Sequence, residues 1–65
     1  MDEPGARVGV LVIRLWTESG SVSGLRARIT WTADVAARDE VVKTSSTIDE
    51  ICAELHVWLS AFQIR

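Results

Sequence analysis

Between Thr47 and Phe62, the residues Ile48, Ile51, Cys52, Leu55, Trp58, Leu59 and Phe62 recur at steps of three and four. That spacing places all seven on one side of an α-helix. Glu50, Ala53, Val57 and Ala61 fall on the opposite side. The helix start is marked by Thr47-Ile48-Asp49-Glu50, which reads as a capping box. Asp49 and Glu50 also sit where the helix dipole favours negative charge. A lone helix cannot bury such a stripe, so the upstream chain must cover it.

Upstream, the period changes from helical to alternating. Arg7 to Thr17 is rich in β-branched residues and reads as a first strand. Leu11, Ile13 and Leu15 point to one face; Val8, Val10, Val12, Arg14 and Trp16 point to the other. Both faces are largely apolar, as in strands covered on two sides. Glu18 to Gly24 holds two glycines and three serines and reads as a hairpin loop. Leu25 to Asp34 is a second strand, with Leu25, Ala27, Ile29, Trp31 and Ala33 on its apolar face. Arg26, Arg28, Thr30, Thr32 and Asp34 form its polar face.

The apolar faces must be shared, because a one-residue slip would drive arginines into the core. The expected register sets Leu15 near Leu25, Ile13 near Ala27 and Leu11 near Ile29. Gly9 then falls near Trp31 and leaves room for the indole. Val35 to Glu40 is a connection, with a turn at Arg38-Asp39-Glu40. Glu40 to Ser46 is a short third strand. The fold expected is α+β: a three-stranded antiparallel β-meander with one C-terminal amphipathic helix packed on one face, in the order β-β-β-α. Residues 1–6 are expected to be a disordered tail and residues 7–65 one domain.

A chain of 65 residues has a marginal core, and many of this size gain stability from a metal, a disulfide or association. One cysteine, Cys52, makes no internal disulfide. Cys52 and His56 fall short of the four ligands of structural zinc. Self-association is the remaining route. The helix covers only one sheet face, so Val8, Val10, Val12, Arg14 and Trp16 are left beside Arg26, Arg28, Thr30 and Thr32. A valine row beside a tryptophan is too apolar to stay wet without a reason. The first strand is also a sheet edge. Two copies pairing their first strands, or stacking their open faces, would each answer this. Long arginine stems lying over the valines would be the monomeric answer.

The residues expected to form an interaction surface are therefore Val10, Val12, Arg14, Trp16, Arg26 and Arg28. The leading expectation is a non-enzymatic interaction or regulatory protein, acting as a homodimer and docking a protein partner. The alternative is single-stranded nucleic-acid binding, with bases stacked on Trp16 and guanidinium groups on phosphates. A net charge of −2 weighs against that alternative. Cys52 and His56 are four apart on the helix, but Cys52 belongs to the apolar stripe and reads as core. No phosphate loop, nucleophile elbow or metal signature is present, so no catalytic residue, cofactor or metal is expected. The acidic start lacks a signal core and Val8 to Ile13 is too short to span a bilayer, so a cytoplasmic setting is expected.

The runs Arg14-Leu15-Trp16-Thr17-Glu18 and Leu25-Arg26-Ala27-Arg28-Ile29, followed by an amphipathic helix, resemble a group of very short bacterial proteins of unknown function. Those share an Arg-x-Trp-x-Glu strand and a Leu-Arg-Gly-Arg-like second strand. Ala27 departs from the glycine of that pattern. The resemblance implies a stand-alone small protein and supplies no activity.

Overall fold

A computed structural model describes residues 7–20 and 24–63. Strand β1 spans Val10–Thr17, β2 spans Leu25–Thr32 and β3 spans Val41–Ser45; helix α1 spans Ile48–Gln63. The strands form one antiparallel sheet in the order β1-β2-β3. The helix lies against β2. The β-β-β-α architecture expected from the alternation and the terminal helical stripe is therefore the one observed. The expected tail at residues 1–6 lies outside the described residues.

Faces fall as the alternation dictates, but the register does not. Leu11 pairs with Trp31, Ile13 with Ile29, Leu15 with Ala27 and Thr17 with Leu25. Each partner is two positions from the one expected. The cause is the loop. The Glu18 N–H donates to the Gly24 carbonyl at 2.7 Å, so the hairpin closes tightly and β1 runs on to Thr17. Gly20 and Gly24 take positive φ there (90° and 73°), which costs glycine least. A shift of two preserves parity, so no side chain changes face.

The second connection turns earlier than expected. The Ala37 N–H donates to the Asp34 carbonyl at 3.0 Å, and the Asp34 carboxylate accepts from the Ala36 N–H. Aspartate closes such turns on its own backbone. Arg38, in the left-handed region at φ 63°, then leads the chain towards β3.

The helix begins on its cap. Thr47 Oγ1 accepts from the Glu50 N–H at 3.1 Å. The Glu50 carboxylate reaches back to the Ser46 N–H at 2.9 Å, one residue beyond the usual capping-box partner. Two indoles then pin the helix to the sheet. Trp31 Nε1–H donates to Glu54 Oε2 at 2.7 Å, and Trp58 Nε1–H donates to the Thr32 carbonyl at 3.0 Å. Near the helix end, Phe62 fills the space left by Gly9. A Cβ at Gly9 would stand 2.9 Å from Phe62 Cδ1 and 3.2 Å from the Thr32 carbonyl oxygen. The aromatic ring that Gly9 accommodates is thus Phe62, not Trp31.

These contacts turn the helix on its axis relative to the sequence expectation. Ile51, Glu54, Trp58, Ala61 and Phe62 are half-buried, whereas Ile48, Cys52, Leu55 and Leu59 are exposed. Cys52 is therefore not a core residue. Among the described residues only Ala27 and Ile29 are fully buried. Both lie on β2, beneath the helix and between the two outer strands.

Candidate interaction surfaces

The sheet face opposite the helix collects all six residues expected there. Cross-strand rows run Val12, Thr30, Val42 and then Arg14, Arg28, Thr44, with Val10 opposite Thr32 and Trp16 opposite Arg26. The valines are open to solvent: Val10 is 44% exposed, Val12 58% and Val42 47%. Val42 belongs to this surface although the sequence reading left it out. Its face is set by β3 pairing, where it lies opposite Thr30.

The charged part of this face has an internal order. Arg26 is half-buried, and its Nε donates to Glu18 Oε1 at 2.9 Å, an ion pair that bridges the hairpin end. Arg14 lies over the Trp16 ring at 5.8 Å, a cation–π contact at the long end of the useful range. Arg28 is exposed and directly across the ladder from Arg14. Neither of these two guanidinium groups meets a carboxylate among the described residues. Like charges placed directly opposite repel, so this pair lowers stability in the absence of an anion.

A second apolar surface lies on the helix side of the sheet and was not expected. Ile48 is 70% exposed, Leu15 59%, Leu59 51% and Leu55 37%. The signal for it was present in the helix: seven apolar residues span more of the helix circumference than one strand can cover. What the spacing lacked was the two indole hydrogen bonds, which turn Glu54 inward and the Leu55 and Leu59 side outward.

Cys52 and His56 are both exposed. No group of three or more His, Cys, Asp or Glu side chains could hold a metal among the described residues. Beside the helix start, Leu25, Ser46, Thr47, Ile48 and Asp49 line an open hollow of about 370 Å³. No helix among the described residues is long and apolar enough to cross a membrane.

No protein-family model, curated protein or solved structure matches this chain. The likeness carried by Arg14–Glu18 and Leu25–Ile29 therefore rests on those short runs alone.

Proposed function

We propose that this chain is a non-enzymatic interaction protein that works as a homodimer and docks an acidic, apolar segment of a protein partner on its open sheet face. The observation that carries this reading is the Arg14–Arg28 pair: two cations in direct register with no carboxylate on either among the described residues, bordered by Val12, Val42 and Trp16. A segment that sets a carboxylate between the guanidinium groups would relieve their repulsion. Its apolar side chains would dry the valines. The small buried set, Ala27 and Ile29, supports association as the source of further stability. The exposed Cys52 thiol suits a reducing, cytoplasmic setting.

Panning a displayed random-peptide library on the wild type, with Arg14→Glu/Arg28→Glu for counter-selection, tests the reading. Enrichment of sequences mixing Asp or Glu with large apolar residues, lost on the variant, is the expected result. No enrichment, or enrichment indifferent to the variant, would sink it. The second reading, single-stranded nucleic acid, is favoured by Trp16 beside the same two arginines. Oligonucleotide binding that weakens steeply with salt and disappears in the same variant would move the assignment there.

A further inference from the structure

We infer that two copies of this chain join through the free edge of β1, with their α1 helices lying antiparallel across the same two-fold axis. The inference rests on the homodimer part of the reading above and assigns that dimer an interface. The open sheet face is left free.

Glu18 and Gly24 bond across the hairpin, so by antiparallel alternation the even positions of β1 turn their backbone groups towards β2. The N–H and C=O groups of Leu11, Ile13 and Leu15 therefore point outward, on the unpaired side of β1. The strand carries no proline, and its one charged residue, Arg14, stands on the open sheet face and not on the helix side.

The helix presents its exposed stripe on that same side. Phe62 touches Gly9, just before β1, so the Phe62 flank of the helix is the β1 flank. At about 100° per residue, Leu55, Ile48, Leu59 and Cys52 follow Phe62 round the helix, away from the side of Glu54 and Ala61. This stripe thus overhangs the free edge. Leu15, exposed on the helix-bearing face of β1, lies beneath it.

Only a partner that offers both a strand edge and an apolar helix fills this step, and a second copy offers both. The positions 48, 52, 55 and 59 have the four-three-four spacing of a helix–helix seam. Set antiparallel, the seam is self-complementary, with Ile48 against Leu59 of the second copy and Cys52 against Leu55. Its midpoint lies between Ala53 and Glu54. From the Phe62–Gly9 contact, 1.5 Å per helical residue brings that midpoint about 13 Å along the helix, or roughly four strand residues beyond Gly9, at Ile13. Pairing β1 with β1 about Ile13 sets Leu11 opposite Leu15 of the second copy and keeps the two Arg14 residues out of register. One axis therefore satisfies strand and helix together. It yields a six-stranded sheet in which Leu15, Ile48 and Leu59 of the second copy converge. In that sheet β2 and its mate stand about 14 Å apart, so helices leaning slightly towards β1 reach the 8–10 Å of packed pairs.

The test is solution mass by light scattering for the wild type, Leu59→Glu and Val12→Glu, with oxidative cross-linking of an equal mixture of wild type and Leu55→Cys/Cys52→Ser. In that mixture no chain holds both cysteines, so no bond can close within one helix. Circular dichroism checks that each variant is folded. The expected results are a dimeric wild type, a monomeric Leu59→Glu and a dimeric Val12→Glu. The mixture should give a disulfide between Cys52 of the wild type and the introduced thiol of the variant. Wild type alone and Leu55→Cys/Cys52→Ser alone should not cross-link, because like positions are offset along antiparallel helices beyond disulfide reach. A monomeric wild type would overturn this interface and the homodimer reading together. A dimer that survives Leu59→Glu, is lost in Val12→Glu, or fails to cross-link in the mixture would overturn the interface alone.

Discussion

Arg14 faces Arg28 directly across the β1–β2 ladder, and no carboxylate among the described residues lies between them. The neighbouring row is handled differently, because Arg26 is neutralised by Glu18 at 2.9 Å. One hairpin thus holds one compensated arginine and two uncompensated ones on the same face. Reversing one charge should turn a repulsion into an attraction. Arg28→Glu is expected to raise unfolding stability by about 0.2–1 kcal/mol, the range of cross-strand charge pairs, as read by urea denaturation at fixed protein concentration. The gain should shrink in high salt. The same substitution is expected to abolish capture of acidic peptides. A loss of stability would show that the two guanidinium groups are not a strained pair.

Gly9 is the position where a single added carbon should be felt most. Its Cβ would meet Phe62 Cδ1 at 2.9 Å and the Thr32 carbonyl oxygen at 3.2 Å. The ring can yield, but the backbone carbonyl belongs to a paired strand and cannot. Gly9→Ala is expected to destabilise by about 1–2 kcal/mol, in the range of overpacking costs, and Gly9→Val by more. Phe62→Ala removes the nearer obstacle, so the double substitution should cost less than the two singles added. Strict additivity in that thermal-melt cycle would mean that the Gly9–Phe62 contact carries no energy.

The register and the helix rotation were misread from the residues for different physical reasons. The register error arose because parity is blind to a shift of two. Leu11, Ile13 and Leu15 face the helix in either register, and only the Glu18–Gly24 hydrogen bond, a property of loop closure, separates them. The helix error arose because a periodic stripe gives a direction only as sharp as its width. With seven apolar residues from Ile48 to Phe62, the side that meets the sheet is decided by polar groups outside the stripe. Trp31 needed an acceptor for its indole N–H, and Glu54 was in reach. The open-face residues were legible because each depends on alternation alone: Val10, Val12, Arg14 and Trp16 on β1, Arg26 and Arg28 on β2. The Leu15–Ile48–Leu59 surface was not, because it exists only once the helix has turned.

That turning gives Glu54 an outsized expected effect for a helix-flank residue. Its carboxylate accepts a 2.7 Å bond from the Trp31 indole, half-buried between β2 and the helix. Glu54→Ala leaves the indole N–H without this partner and is expected to cost about 1–2 kcal/mol. Glu54→Gln keeps an acceptor but loses the charge assistance and should fall between the two. In the Trp31→Phe background the donor is absent, so Glu54→Ala should become nearly neutral. A Glu54→Ala cost of the same size in both backgrounds would assign the effect to helix propensity or surface charge instead.

The helix cap allows a cleaner separation of local from tertiary stability. Thr47 and Glu50 satisfy one backbone donor each at the helix start, through the Glu50 and Ser46 N–H groups, and both side chains stay exposed. Thr47→Ala is expected to cost about 1 kcal/mol, whereas Thr47→Ser keeps the capping hydroxyl and should cost nothing. Glu50→Ala loses the Ser46 contact and a favourable dipole interaction, for about 0.5–1 kcal/mol. Both substitutions lie at the helix end farthest from Gly9 and Phe62. Native-state hydrogen exchange should therefore show faster exchange in the first helical turn, with smaller change at the Trp58–Phe62 end. If the whole helix loosened equally, the two indole contacts and the Phe62 contact would not be independent anchors, and α1 would detach from the sheet as a single unit.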